Sequence, residues 1–291
     1  MMFSFTADRV RSEFLSGEQF QRCCDVIWSV DRRAGMRCPI GQITPGAVVF
    51  AKSDHYLPLF WSLKKRRART ILVTTESDFA ITPEISSMRP PQVAGWFSTN
   101  AIAPDVASLP LGLGNSYCTV TTKARELASL QLEHTGRNKW LYANFRCETH
   151  PDRISVMAHC RAQKGGWITL REGGVSQDQF LCEMTEHRFV LCPRGNGIDT
   201  HRMWEALYSK TIPVTLRHPA LAAFEDLPIL FVDDFREVTQ GFLEEKHRRM
   251  SATDWNEEML FLPWWRRKFS EAVASIPNDR VSFLSYIAAR W

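Results

Sequence analysis

Short apolar runs alternate with longer amphipathic stretches through most of the second half of the chain. Strands are predicted for the short runs, at 139–145, 167–172, 188–193, 211–216 and 228–234. Helices are predicted between them, at 150–162, 176–187, 200–210 and 218–227. Strands that alternate with helices of about 10–15 residues are typical of parallel βαβ units, with helices on both faces of the sheet. This half is therefore predicted to be a doubly wound α/β domain.

The first half shows the same alternation less cleanly. Strands are predicted at 46–52, 69–75 and 108–115, and a helix at 55–68. A polar helix predicted at 121–138 ends in Gly and Asn, and the domain boundary is placed there. The expected domains are residues 1–135 and 136–291, and the C-terminal helices of the second are candidates to pack back on the first.

Composition narrows the class of protein. The chain has 291 residues, 44% of them hydrophobic, so a large core is expected and disorder is not. A net charge of +4 is too small to indicate nucleic acid as a partner. Eight cysteines without a CxxC pair argue against a zinc ribbon and are expected to be small buried hydrophobes in a reducing compartment. With no signal-like or membrane-spanning apolar run, the expected location is the cytoplasm, with the inner face of a membrane as a variant.

The loop between the strand 188–193 and the helix 200–210 carries an unusual density of charged and flexible residues. Unpaired N–H groups at a helix N-terminus favour anions, and glycines allow close approach of the backbone. Two arginines flank the loop, whereas a carboxylate one turn into the helix suits sugar or ribose hydroxyls. The residues concerned are Arg194, Gly195, Asn196, Gly197, Asp199, His201, Arg202 and Glu205. The combination points to a nucleotide sugar, and the alternative is an ordinary capped βα turn.

The spacing of this loop excludes two common phosphate motifs. No GxxxxGK[ST] sequence is present, and Gly195 and Gly197 lack the third glycine of GxGxxG. Asp199 and Thr200 are both candidates for the N-cap of the following helix.

The segment "FVLCPRGNGIDTHRMWEALYSKTIPV" resembles the donor-site signature of exostosin-like glycosyltransferases of the GT-B type. Upstream, "VVFAKSDHY", "ILVTTESDF", "GWFSTNA", "LPLGLGN" and "WLYANFRCETHPDR" are similar, in order, to segments of bacterial and viral members, so the resemblance spans 48–214. It implies an α/β fold of two Rossmann-like domains with parallel sheets facing a central cleft. It also implies sugar transfer from a UDP- or GDP-sugar to a glycan or glycolipid acceptor, in surface polysaccharide or glycan synthesis, without an essential metal or other cofactor.

The resemblance also implies roles for individual residues. Arg202 would contact the donor diphosphate, and Arg153 of "HPDR" would be a second cation. Arg194, Asn196 and Gly197 would shape the phosphate loop, Glu205 would hold hydroxyls, His201 would contact the donor, and Asp199 would orient Arg202 or cap the helix. The chain departs from the family pattern at Glu76 of "TTESD", where relatives often carry His, and at "SKTIPV", which lacks a common glycine.

Three carboxylates are candidates for the general base that an inverting transfer needs. Asp54 follows the strand 46–52, and Glu76 and Asp78 follow the strand 69–75, so all three are predicted at carboxyl ends of strands. Asp78 is favoured, then Glu76, then Asp54. The alternative for each is a turn-capping role.

Several other patterns have two interpretations. "KKRRAR" at 64–69 could contact a membrane or nucleic acid, or could be the solvated end of an amphipathic helix. "LPWWRRKF" could form a membrane-surface patch, or Trp264 and Trp265 could pack internally. Asp233 and Asp234 are interpreted as strand-end or N-cap residues. Besides an enzyme, a non-catalytic nucleotide- or glycan-binding module fits the sequence, and the oligomeric state is left open.

Overall fold

The computed structural model of the chain describes residues 2–29, 43–118, 136–172 and 174–277. The helix predicted at 121–138 lies mostly outside these ranges, together with the end of the predicted N-terminal domain at residue 135.

The described helices and strands are numbered in chain order. The helices are α1 (Ala7–Glu13), α2 (Gly17–Gln21), α3 (Tyr56–Lys64), α4 (Pro83–Ser87), α5 (Asp152–Ala162), α6 (Gln177–Thr185), α7 (His201–Tyr208), α8 (Gln240–Ser251) and α9 (Leu262–Ala274). The strands are β1 (Val26–Ile27), β2 (Val48–Lys52), β3 (Thr70–Thr75), β4 (Val93–Ser98), β5 (Ala107–Ser108), β6 (Lys139–Asn144), β7 (Ile168–Arg171), β8 (His187–Leu191), β9 (Ile212–Leu216) and β10 (Leu230–Val232). Short 3-10 helices lie at Ser53–His55, Cys147–Thr149, Pro219–Phe224, Phe235–Glu237 and Glu257–Leu260.

The chain divides into two compact units. The sheet-A unit lies within Leu15–Leu111 and Leu262–Trp291 and contains β1 to β5. The sheet-B unit lies within Met1–Phe14 and Gly112–Phe261 and contains β6 to β10. Both units are thus built from more than one stretch of chain, and the helix α9 belongs to the sheet-A unit.

Sheet A has the strand order β1-β2-β3-β4-β5, and every pair is parallel. The sequence pattern missed β4, in which Gly95 interrupts the apolar residues. It also overextended the strand predicted at 108–115: the last ladder bond runs from Leu109 N to Ser98 O, and the next residue, Pro110, has no N–H to donate. The core on one face contains Leu59, Phe60 and Leu63 of α3, and Phe60 packs edge-on against Trp96 with 5.4 Å between ring centroids.

Sheet B has the order β10-β9-β8-β6-β7, again with every pair parallel. The prediction of an α/β fold with two parallel sheets is therefore confirmed. In chain order this sheet reads 2-1-3-4-5, because β7 lies on one side of β6 and β8 on the other. In such sheets ligands bind beyond the carboxyl ends of the strands where the order reverses, which here is between β6 and β8.

Local sequence signals account for several element boundaries in the sheet-B unit. The Oγ atom of Ser176 accepts the N–H of Gln179 at 3.2 Å, which confirms the predicted N-cap of α6. Asp234 forms a capping box with Glu237, so its predicted capping role is confirmed as well. The helix predicted at 218–227 is instead the 3-10 helix Pro219–Phe224, for which His218 is the cap.

Among the cysteines in the described residues, which exclude Cys38, not all are buried as predicted. Cys160 and Cys192 are buried, but Cys182 is exposed, and Cys23, Cys24, Cys118 and Cys147 are half-buried. Cys182 lies in an apolar run, yet its position on α6 faces outward while Phe180, Leu181 and Met184 are buried.

Within the described ranges, no helix is long and apolar enough to cross a bilayer.

Candidate functional site

The loop that follows β8 and the segment that follows β6 lie at the switch point of sheet B. The β8 loop, residues 192–200, leads into α7, and the β6 segment, residues 145–151, leads into α5. The sequence motif and the position where a parallel sheet forms a ligand crevice therefore coincide.

Arg153 joins these two segments. Its Nε donates to Arg194 O at 2.7 Å, Nη2 to Pro193 O at 2.9 Å and Nη1 to Arg146 O at 2.9 Å. Burial, followed by the charge of Arg202, lowers the pKa of Arg153 to about 10. The guanidinium thus holds the backbone of the β8 loop, a structural role that the sequence did not reveal. Its role as a second cation for the donor stays a prediction.

Gly195 lies beside the Arg153 guanidinium, which holds the backbone of the β8 loop. A Cβ atom at Gly195 would lie 3.4 Å from Arg153 Nη2 and 3.8 Å from Thr149 Oγ1. The φ angle of Gly195 lies outside the left-handed region, so the residue is not required by backbone conformation. Its absence of a side chain instead lets the loop backbone lie close to the guanidinium and the hydroxyl. Gly197 is buried, whereas Asn196 at the tip of the loop is exposed.

Three buried polar atoms around this loop have no hydrogen-bond partner: Arg194 Nε, Arg202 Nε and Thr149 Oγ1. All three can donate, and two of them carry positive charge. Arg202 lies with its guanidinium carbon 5.0 Å from the ring centroid of Phe180, which limits its orientation. Because buried donors without partners are costly, these three donors call for acceptors that the protein itself does not supply, such as water or a ligand. The sequence did not single out Thr149, which precedes "HPDR".

The start of α7 differs from the prediction in the roles of its two N-cap candidates, Asp199 and Thr200. Thr200 occupies the N-cap position but makes no side-chain capping bond. The carboxylate of Asp199 is 3% exposed and accepts the indole N–H of Trp204 at 2.8 and 3.0 Å. Asp199 therefore anchors α7 through Trp204, a partner that the sequence did not suggest. Trp204 packs in turn against Phe224, with 5.2 Å between ring centroids.

His201 is held by the backbone. Its Nδ1 lies 2.8 Å from Gly112 O, and a carbonyl only accepts, so Nδ1 carries a proton. Nε2 is then the nitrogen that is left for a ligand. Gly112 has φ 73°, a left-handed conformation that favours glycine.

Glu205 is 4% exposed and lies one turn into α7. Burial raises the pKa of the Cys192 thiol to about 12, the charge of Arg202 acts against that rise, and the charge of Glu205 adds to it. The three side chains therefore share one neighbourhood at the end of β8. A carboxylate and a guanidinium next to each other can address hydroxyls and phosphate of the same ligand.

His218, which follows β9, is a further residue that the sequence did not identify as part of this region. Burial, followed by the charge of Arg194, lowers the pKa of His218. Its Nδ1 accepts the N–H of Ala220 at 3.1 Å, so the neutral ring carries its proton on Nε2.

The sheet-B unit also contains a cavity of about 520 Å³ at the ends of β9 and β10 and the start of α5. It is lined by Asp152, Ser155, Val156, His159, Leu216, Asp233, Asp234, Phe235 and Arg236.

The candidate base residues lie in the sheet-A unit. The strands β2 and β3 are adjacent, with Lys52 opposite Thr75, so the residues that follow them share one edge of the sheet. Asp54 and Asp78 are exposed, whereas Glu76 accepts the side-chain N–H of Gln21 at 2.9 Å. All three residues follow strand ends as predicted, and their chemical roles stay predictions.

Glu76 has φ 61°, a left-handed conformation that is uncommon for a residue other than glycine, asparagine or aspartate. Backbone strain of this kind often accompanies functional sites.

The remaining sequence signals are placed as follows. Trp265 is 3% exposed and packs edge-on against Phe20, in line with internal packing, and Trp264 is half-buried beside Trp265. The basic run 64–69 begins at the last residue of α3. In the part of the chain that the structure describes, no group of three or more His, Cys, Asp or Glu side chains could hold a metal ion.

The fold and the site define a parallel α/β protein with a cationic loop at the switch point of one sheet. No protein-family model matches the chain, and no curated protein matches it. Among solved structures, the chain is similar to one described as a crystal structure of alpha1,3-fucosyltransferase, at 12% identity and a TM-score of 0.38. The alignment covers 84% of this chain and 76% of that chain. Likeness at this level carries no information on activity, and the exostosin-like resemblance stays a prediction.

Proposed function

We propose that this protein is a GT-B glycosyltransferase that moves a sugar from a nucleotide-sugar donor to a hydroxyl of a glycan or glycolipid acceptor. The observation that carries the proposal is the set of unpaired buried donors at the switch point of sheet B: Arg194 Nε, Arg202 Nε and Thr149 Oγ1. A diphosphate supplies several acceptor oxygens and two negative charges to such a set.

Electrostatics supports an anion at this place. Burial lowers the pKa of Arg153, and the charge of Arg202 lowers it further, so the two guanidinium groups repel each other in the protein alone. The charge of Arg194 acts on His218 in the same sense. A bound diphosphate offsets both repulsions, and the N-terminal N–H groups of α7 add to the attraction.

Glu205 and a cavity elsewhere in the sheet-B unit are proposed to receive the rest of a donor. Glu205 is proposed to accept hydrogen bonds from ribose or sugar hydroxyls. The cavity of about 520 Å³ near the start of α5 is of a size that accommodates a cofactor-sized group. A UDP- or GDP-sugar is the donor class that these features favour.

For the chemical step, we propose that Asp78 is the base of an inverting transfer. The acceptor oxygen forms a bond to the anomeric carbon, the bond from that carbon to the diphosphate breaks, and the acceptor proton moves to the Asp78 carboxylate. The arginines of the β8 loop stabilise the charge that develops on the leaving diphosphate. Asp78 is favoured because it is exposed at a strand end, whereas Glu76 already accepts from Gln21.

Donor binding is tested by thermal unfolding and calorimetry with UDP-, GDP- and CMP-sugars. One class is expected to raise the unfolding midpoint, because a ligand that binds only the folded state stabilises it. Arg202→Ala is expected to weaken that binding about 30-fold, the equivalent of one charge-assisted hydrogen bond of about 2 kcal/mol. Arg248→Ala, which removes an exposed arginine of α8, is the matched control and should bind like the wild type. Unchanged affinity in Arg202→Ala would mean that the donor binds elsewhere.

Catalysis is tested with the donor so identified and an acceptor found by screening. Asp78→Asn is expected to reduce kcat at least about 100-fold while donor affinity is kept, because general-base catalysis typically contributes 10²–10⁴-fold. Asp54→Asn and Glu76→Gln are the comparison variants, and the anomeric configuration of the product distinguishes inversion from retention. Near-normal turnover in Asp78→Asn would remove it as the base. Tight donor binding without turnover on any acceptor would instead favour the non-catalytic binding module.

A further inference from the structure

The helix α3 exposes large apolar side chains to solvent. Trp61 is 70% exposed and Leu57 is 43% exposed. Phe79, which is 37% exposed, stacks on Tyr56 at the start of the same helix, with 5.6 Å between ring centroids and 28° between ring planes. These three exposed side chains are called the apolar ridge. Side chains this large and this exposed are costly in water when they lie together, so they commonly mark an interaction surface.

Helix geometry places the ridge on the side of α3 away from the core. Leu59, Phe60 and Leu63 face the core of the sheet-A unit. Leu57 and Trp61 are four residues apart and therefore share one face of the helix. The same face continues to Lys65, so the ridge meets a lysine about 12 Å along the helix axis from Leu57.

The ridge ends in concentrated positive charge. Lys64 is the last residue of α3, Lys65 is its C-cap, and Arg66 and Arg67 follow directly. Lys65 and Arg67 are exposed, and Lys64 and Arg66 are half-buried. Asp54 and Asp78 lie toward the opposite end of the ridge, because Asp54 is two residues before Tyr56 and Asp78 directly precedes Phe79. The basic end is thus the end that would meet an anionic partner.

We propose that the apolar ridge and the basic residues 64–67 form a surface that adsorbs to an anionic lipid bilayer. Tryptophan and leucine partition into the boundary between headgroups and acyl chains, and adjacent lysines and arginines bind acidic headgroups. Long basic side chains can lie along the bilayer surface while their stems cover apolar area. A nucleic acid would satisfy the basic residues, but it would leave the aliphatic side chain of Leu57 without an apolar environment. The combination therefore favours a lipid surface.

This inference does not depend on the proposed function. It has a consequence for it, however, because the ridge begins beside the candidate base residues. Phe79 follows Asp78 directly, and Tyr56 lies two residues after Asp54. Adsorption through α3 would bring this edge of sheet A close to the membrane, where an acceptor carried on a lipid would be presented.

The test is sedimentation of the full chain with sucrose-loaded vesicles of phosphatidylcholine, alone or with about 30% phosphatidylglycerol. The protein is expected to sediment with the anionic vesicles and not with the neutral ones, and less so as salt rises. Trp61→Ser should weaken the binding about tenfold through lost apolar burial, and Lys65→Glu at least about fivefold through lost attraction. The matched controls are Ile154→Ser, an apolar residue of α5 that is 64% exposed, and Lys164→Glu, an exposed lysine outside the basic cluster.

The variants separate the alternatives. The proposal is supported if Trp61→Ser and Lys65→Glu both reduce sedimentation while Ile154→Ser and Lys164→Glu do not. It is overturned if the wild type does not bind anionic vesicles, or if the two lysine variants lose binding equally. It is also overturned if Lys65→Glu reduces binding and Trp61→Ser does not. In that case the surface is purely electrostatic, and a parallel titration with single-stranded DNA shows whether nucleic acid is the better partner. All of these residues lie on the surface, so circular dichroism should show that each variant folds.

Discussion

The two regions that carry the candidate chemistry are built in opposite ways. At the switch point of sheet B, charged side chains are anchored by the protein: Arg153 donates to three backbone carbonyls, and Asp199 accepts from the Trp204 indole. At the edge of sheet A, Asp54 and Asp78 are exposed at the ends of their strands. The first region is preorganised by burial, and the second is open to solvent.

This difference matches what the two halves of a group transfer require. Binding a diphosphate benefits from donors fixed before the ligand arrives, because their reorganisation then costs nothing during the reaction. A general base must be reached by the acceptor and must later release the proton that it takes up, so solvent exposure of its carboxylate is compatible with this role. Substitutions at the β8 loop should therefore change both stability and function, whereas substitutions of the exposed carboxylates at the edge of sheet A should change function without changing stability.

The largest expected effect is on Arg153. Arg153→Ala leaves buried carbonyls without a donor and should lower the free energy of unfolding by about 3 kcal/mol, measured by urea denaturation. Nucleotide binding should be lost with it, because the β8 loop is no longer held. Arg161→Ala on the same helix removes an exposed ion pair to Glu172 and should change the stability far less, because exposed ion pairs are screened by solvent. If the two variants prove equally stable, the contrast between the buried region and the open one is wrong.

A smaller effect on the free energy of unfolding is expected at Glu76, whose backbone is strained at the edge of sheet A. Glu76→Gly and Glu76→Ala both remove the carboxylate, but only glycine adopts φ 61° without a steric penalty. Glu76→Gly should therefore be more stable than Glu76→Ala by about 1 kcal/mol in the same denaturation experiment. Equal stability would show that the strained conformation is not maintained in solution.

The smallest effect concerns His218 and pH. Burial and the charge of Arg194 lower its pKa in the folded state, so the unfolded chain takes up a proton first as pH falls below about 6.5. The free energy of unfolding should therefore decrease with falling pH in this window. The pKa values of His187 and His247 are also lowered by burial, so they contribute with the same sign.

The variant His218→Gln isolates one part of this dependence and should show a shallower decline than the wild type. By NMR, the titration midpoint of His218 should rise when a nucleoside diphosphate binds, since the anion offsets the charge of Arg194. A midpoint that does not respond to the nucleotide would separate His218 from the donor region.

The alternation of apolar runs and amphipathic stretches was enough to predict two parallel α/β sheets, because strand and helix periods are local properties of the chain. Prediction from local pattern failed at β4, where Gly95 breaks the apolar pattern and the strand is stabilised by pairing with β3 and β5. It also failed for Cys182, although the helical period of its neighbours could have shown that it faces outward.

The site residues also divide into those that a local sequence pattern reveals and those that only distant contacts reveal. The charge and glycine content of the loop from Arg194 to Arg202 was visible in the sequence, and so was the position of Asp78 after a strand. The structural role of Arg153 was not, because its partners are carbonyls about 40 residues further along the chain, at Pro193 and Arg194. Thr149, Trp204 and His218 were missed for a related reason: each becomes informative only through a contact or a neighbouring charge that the local pattern does not contain.

Local patterns in the sequence were sufficient to predict the class of fold, the succession of elements in the sheet-B unit and the chemical content of the loop after β8. Those features follow from backbone periodicity, residue propensity and composition, which act over a few residues. Tertiary packing was needed to show that β6 and β8 are neighbours, that the order of sheet B reverses at that loop, and that Arg202 Nε stays buried without a partner. Strand order and hydrogen-bond satisfaction depend on which distant segments pack together, and a local pattern does not specify that packing.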